Sequence, residues 1–474
     1  MNLIRTQVCV LGGGPAGAAT ARRLASFGHS VVVIEKTTVP LNRIGESIPG
    51  AVLPLLDVLG IRDIVESQAF LRPNSAIVRW QGESEIRNTA APLGFHVDRA
   101  RFDEELLRGA RDAGARIFRP ARLVRSLPRA DGCHTMDIQI ADGTMVQIES
   151  DFLVDAMGRG STLSGHMRRT GQQTIALYAY WRHSSPTLHE TALEACPSEW
   201  LWGIALPDHL LNATAFIDAH RLRDEITDYG SLERLYESLV CSSKLLSTWV
   251  SGKRATKVRA CDATPLWHEA PIQNRIVKVG DASLSIDPLS AQGVHVALGS
   301  ANHAAAVIHT ILKSPSDESI AQSFYLARQR QSMEFHGRAA GSFYAEAAQK
   351  YATPFWLTRT QPVEKSTAET QTIQIQYDGQ SRVHVHPSVE FQEVPVIDGE
   401  FIVRGKGIWA PQLQTPLVFL DDISLAPLLS RISGIMQCSE VVRDWCSVIP
   451  LGKAVSILDR MLRYGILQVV SQPV

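Results

Sequence analysis

The sequence predicts an α/β fold with three parts: a Rossmann-like domain, an inserted antiparallel β-sheet, and a small C-terminal α+β module. Residues 8–36 support the first part, because they follow the order strand, glycine turn, helix, strand and acidic residue. Residues 174–257 support the second, because they are rich in strand-forming and aromatic side chains. Residues 391–474 support the third, because short strands and helical patterns resume there after a polar stretch.

The length and composition indicate a globular protein of two or three domains. The chain has 474 residues, whereas domains typically contain about 100 to 200. Hydrophobic residues make up 45% and charged residues 20%, and the net charge of -1 gives no basis for binding nucleic acid. The seven cysteines lack the spacing of zinc ligands or a disulfide framework, and we find no apolar stretch of about 18 residues. We therefore expect reduced thiols, no metal, no membrane span and a cytoplasmic location.

The predicted Rossmann-like domain is assembled from two segments of the chain. The first is predicted to contain strands at Gln7–Leu11, Ser30–Ile34 and Phe152–Ala156, helices at Ala16–Phe27, Val52–Leu59 and Phe102–Ala113, and a hairpin at Thr135–Ile148. The second is predicted to contain a strand at Arg275–Gly280 and a helix from about Gln292 to Leu312. We assign residues 1–165 and 258–350 to this domain and residues 166–257 to an inserted substrate-binding sheet.

The C-terminal module is predicted to follow a linker. Residues 361–380 are polar and rich in Thr and Gln, so we assign residues 351–390 to a linker and residues 391–474 to the module. The order of elements is typical of a winged-helix-like fold: strands at Phe391–Ile397 and Phe401–Arg404, then helices at Leu425–Ile432, Glu440–Trp445 and Ala454–Tyr464. Its seven Lys or Arg residues against eight Asp or Glu residues provide no basic face for DNA, which favours a protein or peptide partner.

The glycine turn after the first strand has the spacing of a dinucleotide-binding motif. Gly12-x-Gly14-x-x-Gly17 follows a strand, opens a helix, and is followed by Glu35 at the end of the second strand. In such a motif the second glycine lets the backbone approach a diphosphate, and the helix N-terminus attracts the anion. The acidic residue accepts hydrogen bonds from a ribose. We expect Pro15, Ala16 and Lys36 to line the same site.

Two later segments favour FAD over NAD. Gly280-Asp281 follows an apolar strand, and Pro288 to Val294 lead into a helix whose free amides can face a flavin ring. Reduced flavin carries negative charge, which the N-terminus of a helix stabilises. We therefore expect Pro288, Gln292, Gly293 and Val294 to contact FAD.

The motifs Arg99-x-x-Phe102-Asp103, Asp155-Ala156-x-Gly158 and Gly280-Asp281, with the glycine turn, resemble those of the flavoprotein monooxygenases typified by para-hydroxybenzoate hydroxylase. The resemblance covers roughly residues 5–345. It implies that Arg99, Asp155 and Gly158 belong to the FAD site and that Asp281 holds the ribityl or ribose region. FAD-dependent reductases of isoprenoid double bonds share the Arg99 and Asp155 segments, so that reaction class stays an alternative.

Two further motifs resemble the branch that contains the flavin-dependent halogenases. These are Arg43-x-Gly45-Glu46-Ser47 and Trp200-x-Trp202-x-Ile204, the latter with an extra residue before Pro207. The resemblance places Arg43, Gly45 and Ser47 at the flavin and Trp200 and Trp202 in a substrate pocket. Both tryptophans could instead be core residues, and Glu46 could be a solvated or paired acid rather than a catalytic base.

The halogenases use a lysine shortly after the Gly-Glu-Ser segment, and this chain departs from that pattern. It has no lysine between Lys36 and Lys244. Arg72 is the nearest cation in the corresponding stretch, and a guanidinium is a poor proton donor because it stays charged at ordinary pH. The departure disfavours halogenation and favours hydroxylation of an electron-rich aromatic by reduced FAD and O2.

The C-terminal module and the segment Leu289-Ser290-x-Gln292-Gly293 are similar to flavoproteins that mature tryptophylquinone enzymes. That resemblance implies hydroxylation of a tryptophan within a partner polypeptide, which the module would hold. The candidate catalytic residues are Glu46 and His295, although a histidine near a helix start is more often structural. The sequence leaves open whether NAD(P)H or a separate reductase reduces the flavin, and a binding scaffold with structural FAD stays an alternative.

Overall fold

The computed structural model describes residues 2–39, 43–88, 92–129, 132–161, 163, 165, 167–182, 190–250, 252–360, 376–413 and 415–470. The chain divides into two compact units. The first contains residues 1–315 and 325–362, and the second contains residues 316–324 and 363–474.

The first unit alternates strands and helices in its early part and becomes helical after the inserted sheet. Its strands are β1 (Asn2–Leu11), β2 (Val31–Ile34), β3 (Ser47–Ile48), β4 (Ser75–Arg79), β5 (Glu85–Asn88), β6 (Phe95–His96), β7 (Arg116–Phe118), β8 (Ala121–Pro128), β9 (His134–Ile140), β10 (Met145–Asp155), β11 (Met167–Arg169), β12 (Thr174–Arg182), β13 (Thr191–Cys196), β14 (Glu199–Leu206), β15 (Leu210–Asp218), β16 (Arg259–Asp262), β17 (Leu266–His268), β18 (Ile272–Gln273), β19 (Ile276–Lys278) and β20 (Leu284–Ser285). Its helices are α1 (Pro15–Ser26), α2 (Leu53–Val58), α3 (Arg62–Glu66), α4 (Arg99–Asp112), α5 (Ala219–Tyr229), α6 (Leu232–Ser242), α7 (Leu246–Trp249), α8 (Gly293–Lys313), α9 (Glu318–Tyr351, whose first seven residues belong to the second unit) and α10 (Pro354–Leu357).

A mainly parallel sheet forms the Rossmann-like part, as predicted. Its central strands follow the order β19-β10-β1-β2-β7, and each of these neighbouring pairs is parallel. Residues 8–11 and 31–34 are buried throughout, as expected for a parallel sheet that is covered on both faces. Helices α4 and α8 pack against α1. The second strand of the predicted hairpin and the predicted strand Phe152–Ala156 are one continuous strand, β10. It pairs with β9 and also runs beside β1.

The second sheet of this unit follows the order β16-β12-β15-β14-β13-β4-β5. Four of its strands, β12 to β15, lie within the predicted insertion at 166–257, whereas β4, β5 and β16 lie outside those boundaries. β4 joins through a parallel pairing with β13, in which Arg79 aligns with Glu194. One face of the sheet packs against α6 through residues such as Leu177, Leu201 and Leu235.

The second unit contains a three-stranded sheet, a long hairpin and short helices. Its elements are β21 (Arg382–Val385), β22 (Glu390–Asp398), β23 (Phe401–Trp409), β24 (Phe419–Leu420), β25 (Ile423–Ser424), α11 (Leu425–Leu429), β26 (Met436–Gln437), α12 (Cys438–Trp445), α13 (Leu451–Arg463) and β27 (Leu467–Val469). β21 pairs with both β26 and β27, so part of the predicted linker at 351–390 forms a strand. That predicted linker also includes α10, and its residues 361–375 lie outside the described residues. The winged-helix-like topology stays a prediction.

Two searches of the described residues bear on other kinds of site. None of the helices in this part of the chain combines the length and hydrophobicity that a membrane-spanning segment needs. Over the same residues, we find no group of three or more His, Cys, Asp or Glu side chains that could hold a metal ion.

Candidate cofactor and substrate site

A cavity of about 750 Å³ lies within the first unit. Leu11 and Ile34, the last residues of β1 and β2, line it, so the cavity lies at the carboxyl ends of the parallel strands. Ligands bind at this edge in open α/β sheets. Trp200, Trp202 and Phe216, from the second sheet, also line the cavity.

The three glycines of the turn have different local surroundings. A Cβ at Gly12, where φ is +111°, would lie 2.3 Å from the Ala156 carbonyl oxygen, and one at Gly17 would lie 1.9 Å from the Gly12 carbonyl oxygen. These two positions therefore need glycine for the turn and for close packing. A Cβ at Gly14 would meet no protein atom within 4 Å, and Gly14 lines the cavity. This open floor at the start of α1 fits the diphosphate of a dinucleotide.

Glu35 follows β2 and holds the glycine turn. Its carboxylate accepts hydrogen bonds from the Gly13 amide at 2.6 Å and from the Thr37 amide and hydroxyl at 2.7 and 2.6 Å. Burial acts to raise the pKa of Glu35, but the hydrogen bonds from Thr37 and Gly13 outweigh it and hold the pKa below its ordinary value. A carboxylate has about four acceptor positions, so Glu35 retains capacity for a ribose hydroxyl.

The loop that contains Glu46 is held by a buried ion pair on α4. The Arg99 guanidinium pairs with Asp103 at 3.0 and 3.1 Å and donates a hydrogen bond to the Ile44 carbonyl oxygen at 3.1 Å. A Cβ at Gly45 would lie 2.9 Å from the same guanidinium. Arg99 therefore fixes the path of the loop beside the cavity. Both Arg99 and Gly45 line this cavity.

Glu46 is a buried carboxyl group at the cavity wall, with 3% of its surface exposed. Its Oε1 accepts hydrogen bonds from the Tyr180 hydroxyl at 2.7 Å and the Asn212 amide at 2.8 Å, and its Oε2 accepts one from the Gly45 amide at 2.8 Å. Burial raises the pKa of Glu46 above its ordinary value, although the hydrogen bonds from Tyr180 and Asn212, the backbone amide of Glu46 and the charge of Arg99 oppose this effect. Glu46 is thus a candidate proton acceptor with a lone pair left on Oε2.

Asp281 opens into the cavity after β19. The Asp281 side chain is exposed to solvent, and desolvation by the neighbouring protein raises its pKa against the opposing charges of Arg159, Arg99 and Arg43. All three arginines also line the cavity. A carboxylate beside several cations can accept hydrogen bonds from sugar hydroxyls, which fits the FAD role that its motif predicts.

The segment before α8 forms a tight turn against the cavity. Asp287 accepts hydrogen bonds from the Leu289 amide and the Tyr344 hydroxyl, and Ala291 has a positive φ of 51°. The turn brings Gly293 and Val294 to the cavity at the start of a 21-residue helix. A Cβ at Gly293 would meet no protein atom within 4 Å. The amides at this helix N-terminus are therefore open to an anionic group, as expected for the pyrimidine side of a flavin.

The second sheet provides an aromatic wall. The Trp200 and Phe216 rings stack with centroids 3.7 Å apart and planes 9° apart, and both line the cavity beside Trp202. Trp200 is 1% exposed, so it is at once a core residue and part of the wall. A flat aromatic substrate can stack on such a surface.

Five of the predicted site residues do not line the cavity. Asp155 pairs with Lys278 at 3.0 Å in the core, because it ends β10 beside the end of β19. Arg72 stacks on Phe95 at 3.7 Å and binds the Leu93 carbonyl, away from the cavity wall. The Gln292 and His295 side chains hydrogen-bond to each other at 2.9 Å, and Gly17 packs inside the turn. The structure thus gives Asp155 a buried ion pair and gives Arg72 and His295 other partners.

The other predicted residues meet at the cavity, and the sequence-based prediction missed several more. Those that line it as predicted are Gly12, Gly14, Pro15, Ala16, Glu35, Lys36, Arg43, Gly45, Glu46, Ser47, Arg99, Gly158, Trp200, Trp202, Gly280, Asp281, Pro288, Gly293 and Val294. Those that were missed include Arg119, Arg122, Arg159, Tyr178, Thr214 and Asp287. Two of them adjoin predicted motif residues: Asp287 directly precedes Pro288, and Arg159 directly follows Gly158.

Comparison with known proteins identifies the family of the chain. A model of the tryptophan halogenase family matches residues 68–417, and one of the pyridine nucleotide-disulphide oxidoreductases matches residues 6–53. A tryptophan 2-halogenase from Chondromyces crocatus is 30% identical over 369 residues, which cover 74% of this chain and 70% of that protein.

Two solved structures share the fold over nearly the whole chain. CmlS, a flavin-dependent halogenase, has a TM-score of 0.79 at 21% identity, covering 98% of this chain and 96% of its own. QhpG, a peptidyl tryptophan dihydroxylase essential for tryptophylquinone cofactor biogenesis, has a TM-score of 0.72 at 24% identity, covering 97% and 99%. The chain therefore belongs to the tryptophan halogenase family of flavin-dependent enzymes, and its cofactor is FAD.

Proposed function

We propose that this chain is a monooxygenase that hydroxylates an electron-rich aromatic ring, an indole in the first instance. The observation that carries the proposal is the set of cations in the cavity. Among the described lining residues, the sole lysine is Lys36, which directly follows Glu35, the residue expected to bind the ribose. The halogenases that the Gly45-Glu46-Ser47 segment resembles use a lysine shortly after it, and Arg72, the candidate substitute, does not line the cavity.

Each part of the site has a role in this reaction. Bound reduced FAD supplies the electrons that activate O2. One oxygen atom is added to the ring carbon and the other leaves as water, so the ring carbon must lose its hydrogen as a proton. Glu46 Oε2 is suited to accept that proton, since burial raises its pKa and one lone pair is left. Trp200, Trp202 and Phe216 orient the ring and exclude water.

Halogenation of an aromatic ring is the second candidate. The names of the relatives favour it over hydroxylation, because most of those similar in sequence are halogenases. The cavity would serve both reactions equally well in FAD binding and ring stacking. The two candidates therefore differ in the cation that handles the oxidant near the substrate, and this chain lacks that lysine.

The substrate belongs to the same proposal. QhpG acts on a tryptophan within a peptide, and this chain matches 99% of its length in fold. We propose that the indole is a tryptophan side chain in a partner polypeptide. We also propose that residues 391–474 bind that polypeptide. The free amino acid is the competing form of the substrate.

The test is to supply the purified chain with FAD, a flavin reductase and NAD(P)H as the electron source, O2, chloride and bromide, together with free tryptophan or tryptophan peptides. Mass spectrometry then identifies the added atom. The proposal predicts a gain of oxygen that falls strongly in Glu46→Gln. Arg72→Ala is the matched control, and its turnover should be unchanged because Arg72 lies outside the cavity. A chlorinated or brominated product as the main species would support the second candidate instead.

A further inference from the structure

One hydroxyl lies in the middle of the aromatic wall. In the register of the second sheet, Thr214 on β15 aligns with Trp202 on β14 and with Tyr178 on β12. Residues directly opposite each other on neighbouring strands project from the same face, and all three line the cavity. Trp200 and Phe216, two residues along their strands, form the adjacent row of the same face. Thr214 is shorter than the two ring side chains beside it, so an aromatic ring that enters edge-on between Tyr178 and Trp202 directs its edge at the Thr214 side chain.

A series of hydrogen bonds determines whether the Thr214 hydroxyl can donate or accept a hydrogen bond to a ligand. The Asn212 amide nitrogen donates to Glu46 Oε1 at 2.8 Å, so the Asn212 amide oxygen points the other way. Thr214 donates its hydroxyl hydrogen to that oxygen at 2.8 Å. A threonine hydroxyl has one hydrogen and two lone pairs. With the hydrogen committed to Asn212, the Thr214 oxygen can only accept.

Nothing in the described part of the chain donates a hydrogen bond to this oxygen. Thr214 lines the cavity and is 2% exposed, so its hydroxyl is largely screened from bulk water. A hydroxyl that donates its one hydrogen keeps two lone pairs, which are available to a donor on a ligand. A ligand that carries a hydrogen-bond donor on an aromatic ring therefore complements this position.

We propose that Thr214 selects the substrate of this enzyme by accepting a hydrogen bond from a ring N–H or O–H group. In the reaction proposed above, on which this inference rests, that group is an indole N–H. The acceptor-only hydroxyl discriminates against rings whose donor is blocked. An N-methylated indole offers no hydrogen and places a methyl group against the oxygen. Tyr178 and Trp202 flank Thr214 on the two neighbouring strands, so a ring held edge-on between them directs its N–H at the Thr214 oxygen.

The test compares the binding of indole and 1-methylindole to the full-length chain loaded with FAD, by isothermal titration calorimetry. A neutral hydrogen bond changes affinity by roughly 2- to 12-fold, so the wild-type chain should bind indole more tightly than 1-methylindole by about that factor. Thr214→Val keeps the side-chain shape without the oxygen and should abolish or reverse the preference. Thr214→Ser keeps the hydroxyl and should retain it.

The binding measurements test the role of Thr214 independently of whether the enzyme hydroxylates or halogenates its substrate. An unchanged preference in Thr214→Val, or no binding of either probe at millimolar concentration, would overturn it. FAD content, measured for each variant, shows that the fold and cofactor site persist. Because binding is measured without turnover, a halogenated product in the assay above would refute hydroxylation and leave the role of Thr214 intact.

Discussion

Replacing Gly14 with alanine should separate cofactor binding from folding. Gly14 has φ −70° and ψ −177°, a conformation that any residue adopts, and an added Cβ would meet no protein atom within 4 Å. A glycine-to-alanine change at such a position stabilises a protein by about 0.4–1 kcal/mol, because it reduces the entropy of the unfolded chain. The same methyl group projects toward the space assigned to the FAD diphosphate. Overpacking costs about 1–3 kcal/mol, so FAD affinity should fall roughly 5- to 150-fold.

Two assays and one control test this prediction. Urea denaturation of the FAD-free chain measures the free energy of unfolding, and quenching of flavin fluorescence measures the affinity for FAD. Gly17→Ala is the control, since its Cβ would lie 1.9 Å from a backbone oxygen and should lower stability and affinity together. If Gly14→Ala bound FAD as tightly as the wild type, the diphosphate could not lie against Gly14, and the assignment of the turn would be wrong.

Three more predictions concern charged groups. Asp281→Ala should lower the FAD content of the purified chain, measured by absorbance at the flavin maximum; undiminished content would count heavily against its role. Lys278→Met should lower the free energy of unfolding by about 3–5 kcal/mol, since it leaves Asp155 buried without its partner, whereas FAD affinity should change little. The pKa of Glu35 lies below its ordinary value of 4.5 in the folded chain because the hydrogen bonds from Thr37 outweigh the effect of burial. Its ionised form therefore stabilises the fold above about pH 4.5 and loses that effect as the pH falls through the folded pKa. The stability difference between wild type and Glu35→Gln should thus shrink on acidification, and a difference that grew would refute this sign.

The FAD-binding half of the site could be predicted from the sequence because its determinants are local. The glycine spacing, the acid after the second strand and the Gly280-Asp281 pair each act through a few neighbouring residues. Asp155 has the right motif but a different role, because the strand ending beside it brings Lys278 within 3.0 Å. That neighbour is distant in sequence, so no local pattern shows it.

The substrate half could be predicted only in outline. The sequence indicates a sheet and two tryptophans, but the register of β15 decides that Thr214 lies between Tyr178 and Trp202. Register depends on which strands pair, and the parallel pairing of β4 with β13 joins segments more than a hundred residues apart. Arg72 shows the opposite error, because its position after Glu46 along the chain suggested a place in the cavity, whereas Arg72 stacks on Phe95 and does not line the cavity.

The most direct test of the central claim is the isotopic origin of the atom added to the substrate. The chain is incubated with FAD, a flavin reductase, NAD(P)H and a tryptophan peptide under 18O2 in ordinary water containing bromide, and the product is analysed by mass spectrometry. Hydroxylation predicts that the peptide gains one 18O atom for each oxygen incorporated and no bromine. A brominated peptide, or oxygen drawn from water rather than from O2, would contradict it.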